Sequence, residues 1–192
     1  MILDAILVGK GSSIETFPWG KVLEDPVTVC INEAILCIPQ DAPMTTLIGM
    51  TQDYDPVRRI IDAWKPDTRV KAIWYADMHA EIGKKLPCKG VVFPLSTVPR
   101  GATACIALWF IRKWASETFG RQMDDHLNVG CVGFDAYFGR GGPVYAKAVQ
   151  DAVKEPITRS PDYSAVNAQI GRWARETNCR LIDLGAEAGP TS

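Results

Sequence analysis

Short apolar runs alternate with amphipathic stretches from one end of the chain to the other. The runs Ile2–Val8, Val27–Ile31, Thr45–Met50, Val70–Tyr75, Gly90–Phe93, Leu127–Val132 and Arg180–Leu184 predict up to seven strands. Helical spacing predicts helices over Pro56–Trp64, Ala102–Thr118, Val144–Val153 and Ser164–Thr177. The 102–118 segment is apolar around much of its circumference, so it belongs between the sheet and a neighbouring helix. Strands alternating with helices predict an α/β fold: one doubly wound, mostly parallel, Rossmann-like sheet with helices on both faces. The stretches Pro39–Thr46 and Gly185–Ser192 read as loops. Phe138–Pro143 is irregular and glycine-rich (Gly139, Gly141 and Gly142, with Gly133 just before), and it lies after a strand at the edge where α/β sheets bind ligands. A lid could form there.

Composition narrows this little. With 192 residues, 47% of them hydrophobic, the chain can bury a core and reads as one domain, residues 1–192, with room only for a small lid beside it. Its 21 basic and 22 acidic residues lack the basic excess of a dedicated non-specific nucleic-acid binder. The local clusters Lys84, Lys85, Lys89 and Arg58, Arg59 read as solvated surface. The N-terminus lacks a leader pattern and reads as mature from Met1. No run is as long as a membrane span, and Ala104–Ile111 reads as a core helix segment. Six cysteines in mostly apolar segments, without a C-x-x-C pair and with only two histidines, suggest buried reduced thiols in a cytoplasmic protein and argue against structural zinc.

The chemistry-bearing stretch is Ala5-Ile6-Leu7-Val8-Gly9-Lys10-Gly11-Ser12-Ser13, a strand running into a glycine- and serine-rich turn. Such a turn suits phosphate: Gly9 and Gly11 tolerate positive φ, and the N–H groups and hydroxyls of Ser12 and Ser13 can face an anion. It matches neither the Walker pattern nor the full dinucleotide fingerprint, and an ordinary tight turn is the alternative. Asp53-Tyr54-Asp55 matches the D-x-D that holds Mg or Mn on sugar diphosphates, although Pro56 makes Asp55 read as a helix N-cap. No cofactor is expected unless Asp53 and Asp55 act as that metal site.

Together with the residues after it, the turn resembles a known family. Gly9-x-Gly11-Ser12-Ser13, then Phe17-Pro18-Trp19, then Val27–Ile31 ending in Asn32-Glu33-Ala34, is similar to the N-terminal half of bacterial lipooligosaccharide sialyltransferases. Those enzymes carry G-N-G-P-S and a second strand ending in R-x-N. A second block, Arg100-Gly101-Ala102-Thr103 and then a strand ending Phe134-Asp135-Ala136-Tyr137, resembles the family's T-S-G helix and G-I-D-F-Y strand. Animal sialyltransferases share a related pair of motifs. The resemblance implies that Gly9, Lys10, Gly11, Ser12, Ser13 and Asn32 hold a nucleotide, with Arg100 and Gly101 against it and Asp135 and Tyr137 lining the cleft, Asp135 among the catalytic candidates and Tyr137 on the nucleotide.

Two departures change what is expected. Lys10 stands where the family has asparagine, a cation suited to a diphosphate. The family's catalytic histidine would fall near Ser160-Pro161-Asp162, where there is none. His79, after the strand 70–75, is the replacement expected on the nucleotide side, with Asp162 as the alternative. His126 precedes its strand and belongs to the opposite edge. The function this implies is transfer of a sugar from a nucleotide-sugar donor to a hydroxyl of a glycan or of a modified base in phage DNA. Two alternatives stand beside it. One is pyrophosphoryl transfer to a pterin alcohol, as in a related archaeal group, with magnesium held by Asp53, Asp55, Asp124 and Asp125. The other is a phage or bacterial protein that binds a nucleotide without turning it over.

Overall fold

The computed structural model describes residues 2–22, 26–98, 100–141, 143, 145–158 and 162–188. Seven strands form one sheet: β1 Ala5–Val8, β2 Val27–Ile31, β3 Leu47–Thr51, β4 Val70–Ala76, β5 Gly90–Phe93, β6 Leu127–Val132 and β7 Cys179–Asp183. Every neighbouring pair is parallel, and the order is β5-β4-β3-β2-β1-β6-β7. The chain therefore winds outward from β1 to β5, crosses back to place β6 against β1, and continues outward to β7. A crevice opens where the winding reverses, beyond the carboxyl ends of β1 and β6.

The helices are α1 Ser13–Thr16, α2 Tyr54–Ala63, α3 Ala80–Gly83, α4 Thr103–Phe119, α5 Lys147–Ala152 and α6 Tyr163–Glu176. β1, β2 and β3 are buried along their whole length, as strands covered on both faces must be, and this explains their largely apolar sequences. α4 and α6 cover the face carrying Leu7, Val29, Met50 and Val129. The opposite face, with Ile6, Val8, Leu47 and Ile73, lies under α2, α5 and the 3-10 helix Asn32–Cys37. α4 ends at Gly120, whose φ of 65° lets its N–H return to the Ser116 carbonyl.

All seven expected strands are present, with β1 beginning at Ala5 and β7 at Cys179. α2 begins two residues before Pro56, which moves the N-cap from Asp55 to Asp53. Proline fits within a first turn, where its missing N–H costs no bond. α5 starts at Lys147; Val144, given as a helix start, lies outside the described residues, as does Gly142 in the glycine-rich stretch. In the C-terminal loop, residues 185–188 form a 3-10 turn and 189–192 lie outside the described residues. The four-residue helices α1 and α3 are too short for the apolar period to show.

The six cysteines are free thiols. Burial raises all of them, Cys105 to about 11 and Cys37 to about 12. Among the described residues no helix is long and apolar enough to cross a membrane, and no three or more His, Cys, Asp or Glu side chains gather as metal ligands.

Candidate functional site

Because all the strands run one way, the segments after them meet at one edge of the sheet. A cavity of about 810 Å³ opens there across the reversal of strand order. Gly9–Gly11, Asn32, the start of α2, the start of α4, the 133–137 segment and the first half of α6 form its wall. Tyr54, Phe134, Tyr137, Tyr145 and Tyr163 give that wall flat apolar faces. Burial raises the hydroxyl of Tyr137 and pushes that of Tyr163 up to about 12, so both are neutral hydroxyls at ordinary pH.

The turn after β1 is built differently from the phosphate cradle expected of it. Gly9 and Gly11 do not have positive φ; that conformation belongs to Gly133, with φ 73°. Space is what requires glycine. A Cβ on Gly9 would stand 2.5 Å from the Gly133 carbonyl oxygen, and one on Gly11 would stand 2.2 Å from Oδ2 of Asp135. The Gly11 N–H donates to the Gly133 carbonyl at 2.9 Å, and the Ser13 N–H donates to Asp135 Oδ2 at 3.0 Å. Ser13 Oγ accepts from the Gly133 N–H at 2.8 Å, and Ser12 Oγ reaches Asp135 at 3.5 Å. Arg140 completes the lock through Asp135 and Asp183, both at 2.8 Å. The anion held by Ser12 and Ser13 is therefore the protein's own Asp135, and neither serine is among the residues lining the cavity.

Positive charge reaches the cavity from Lys10 in this turn and from Arg59 in α2. Glu33 is fully buried, and its two carboxylate oxygens each accept from a different cation: Oε2 from Lys10 Nζ at 3.0 Å and Oε1 from Arg59 Nη1 at 3.0 Å. Lys10 also lies over the Tyr145 ring, 4.6 Å from its centroid. Arg59 was expected to be solvated surface like Arg58. The helix separates the two: Arg58 pairs outward with Glu155 and Asp62, whereas Arg59 turns toward Glu33 and the cavity. Glu33 is the signal that was missed, an acid in the apolar run from Val27 to Ile38. Beside it, Asn32 holds a left-handed backbone, φ 54°, and its Oδ1 is buried without a hydrogen-bond partner.

The other expected residues are spread around this centre. Tyr137 and Asp162 line the cavity, and Asp162 caps α6 by accepting from the Ser164 and Ala165 N–H groups at 3.0 and 3.2 Å. Ser160 and Pro161 lie outside the described residues. Gly101 accepts from Gln52 Nε2 at 2.9 Å through its carbonyl, and neither it nor the exposed Arg100 lines the cavity. His79 sits at the carboxyl edge after β4. Its Nε2 contacts the Gln52 carbonyl at 3.1 Å and its ring packs edge-on against Tyr54, so it stands behind two residues of the cavity wall. His126 is exposed at the opposite edge. Asp53 and Asp55 line the cavity at the start of α2. Asp124 and Asp125 precede β6 and so fall at the amino edge, which removes them from the metal set considered for pyrophosphoryl transfer.

Neither a protein-family model nor a curated protein matches the chain. A solved structure, the sialyltransferase CST-II in complex with trisaccharide acceptor and CMP, is similar over 94% of this chain and 80% of that one. The two are 8% identical, with a TM-score of 0.41. At that distance the likeness is one of chain path and decides neither family nor chemistry.

Proposed function

We propose that the cavity binds a nucleotide sugar and that the protein transfers the sugar to an acceptor hydroxyl. The observation that carries this reading is the position of the cavity: the large pocket of aromatic faces and paired cations coincides with the reversal point of a doubly wound sheet. The aromatic wall suits a nucleobase. Asn32 Oδ1 is an acceptor waiting for a donor, such as a ribose hydroxyl or a base N–H. Lys10 and Arg59 would stabilise the charge that develops on the departing nucleotide. The family resemblance in the sequence agrees with this chemistry, and a glycan end or a modified nucleic-acid base fits an acceptor side left open on the surface.

In this reading His79 takes the acceptor's proton. Its Nε2 lies 3.1 Å from the Gln52 carbonyl oxygen, which only accepts; with Nε2–H donating there, Nδ1 is the nitrogen that would take the proton. The acceptor then enters over the rim formed by Tyr54. His79→Ala is expected to lower turnover by about 10²-fold or more with nucleotide affinity unchanged.

A second reading is favoured by one observation: among the described residues, no histidine lines the cavity. A protein that holds a nucleotide without turning it over would look the same. Thermal denaturation against a nucleotide panel, followed by assay of the nucleotide sugars that bind, separates the two. A ligand at about a hundred times its Kd adds roughly 2.7 kcal/mol, which at about 2–4 °C per kcal/mol for a chain of this size is a rise of roughly 5–11 °C. Stabilisation with no release of sugar from any donor selects the binding protein, and no stabilisation by any nucleotide removes both readings.

A further inference from the structure

One carboxylate holding two cations at the cavity wall has a consequence for the ligand. Glu33 is completely buried, a position that an ionised acid occupies only when its charge is compensated, and Lys10 and Arg59 compensate it from opposite oxygens. The cluster carries two positive charges and one negative, in a cavity wall that also holds Asp53, Asp55, Asp162 and the Asp135–Arg140 pair. Its geometry is as telling as its sum. Lys10 Nζ and Arg59 Nη1 bond to different oxygens of the Glu33 carboxylate, each at 3.0 Å, so the two cations flank it as separate donors. Arg59 Nε adds a buried donor with no partner. The Tyr145 ring fixes Lys10 from another side.

We infer that Lys10, Glu33 and Arg59 form a two-station clamp for a diphosphate, in which each cation takes one phosphoryl group and Glu33 holds the spacing. The inference rests on the nucleotide-site reading and names its donor class, a nucleoside diphosphate sugar. A monophosphate engages one station and leaves the other cation to Glu33 alone. A diphosphate spans both and brings an anionic phosphoryl group to each cation. Arg59 and Lys10 are binding residues in this scheme, and Glu33 is a positioning residue. An amide at position 33 cannot replace it. Glutamine has one accepting oxygen for two donors, and its NH₂ group would face the second cation with like polarity.

Isothermal titration of the full chain with inorganic pyrophosphate, inorganic phosphate and matched nucleoside mono- and diphosphates tests the clamp. Pyrophosphate is expected to bind at least tenfold more tightly than phosphate, and each nucleoside diphosphate at least tenfold more tightly than its monophosphate. Arg59→Gln and Lys10→Met should each remove most of that ratio, Arg59→Lys should keep a part of it, and Glu33→Gln should bring it close to one. A merely structural Glu33 would lower melting temperature and leave the ratio alone. If Glu33→Gln does not fold, Arg59→Gln, at a partly exposed position, still decides. Equal binding of mono- and diphosphates, or variants that weaken both alike, overturns the clamp and leaves a nucleotide site standing. Pyrophosphate bound with no nucleotide bound supports the clamp and defeats the nucleotide reading, while no binding of pyrophosphate defeats the clamp.

Discussion

Two turns at the same edge of the sheet, one after β1 and one after β2, divide the work in a way opposite to their appearance. The turn after β1 has the glycines and serines of a ligand loop, yet its Gly11 and Ser13 N–H groups and its Ser13 hydroxyl are bonded to the 133–135 segment, and of its polar side chains Lys10 reaches the cavity while Ser12 and Ser13 do not. The turn after β2 reads as a plain strand end. It contains an asparagine in a left-handed conformation with a buried unpartnered acceptor, and next to it a buried acid holding two cations. A glycine-rich turn marks the close approach of another group, and that group can be the protein's own backbone. A site for a ligand is marked by polar groups that the protein has positioned and left incompletely used.

The strongest way to break this comparison is Gly11→Val. The new Cβ would lie 2.2 Å from Asp135 Oδ2 and 2.9 Å from the Gly133 carbonyl. Asp135 is buried and tied to Arg140 and Ser13, so it has no room to retreat. The expected loss is about 3 kcal/mol or more, at the upper end of overpacking, read as a lower midpoint in urea. An unchanged midpoint would mean that the turn is open and free for a ligand after all. Asp135→Ala comes next. It strips the lock of its anion, but Arg140 keeps Asp183 and is a quarter exposed, so the expected loss is about 2 kcal/mol, below that of a fully buried pair.

Most of the fold was legible in the sequence because β1, β2, β3 and most of β6 are covered on both sides, which forces largely apolar runs that stand out from their flanks. The winding also put His79 and His126 at opposite edges from strand order alone, since a parallel sheet has only one carboxyl side. The site was less legible. Whether Asp135 faces a ligand or a backbone N–H depends on a contact across more than a hundred residues, and no local pattern encodes it. Arg59 looked like its neighbour Arg58 because helical position, fixed by where α2 begins, decides which one turns inward. Glu33 could have been found, since an acid inside an apolar run must be compensated by partners of opposite charge.

Asn32 sharpens the comparison from the other turn. Glycine accepts its φ of 54° without cost, so Asn32→Gly is expected to leave stability within about 0.5 kcal/mol of the parent. It deletes the waiting acceptor and should weaken nucleotide binding about fivefold to tenfold, the worth of one hydrogen bond of roughly 1 kcal/mol. Asn32→Ala deletes the same oxygen and should lose the same affinity. If the glycine variant bound nucleotide like the parent, the unpartnered oxygen would not be a ligand contact.

Asp162 carries the smallest expected effect and separates two roles that one residue can hold. Its carboxylate accepts from the Ser164 and Ala165 N–H groups, which is an N-cap, and it also lines the cavity. Asp162→Ala removes the cap and should cost about 1 kcal/mol. Asp162→Asn should cost much less, since asparagine caps about as well, yet it cannot accept a proton as a base. A cap therefore predicts that the alanine variant is destabilised and the asparagine variant is nearly silent in both stability and turnover. A base predicts that the asparagine variant keeps its melting temperature and loses turnover. The bonds already made by the carboxylate favour the first outcome, because Oδ1 is turned to the start of α6 and takes both N–H donors there. Intact melting with turnover lost in Asp162→Asn, together with an active His79→Ala, would move the proton acceptor from the wall behind Tyr54 to the start of α6.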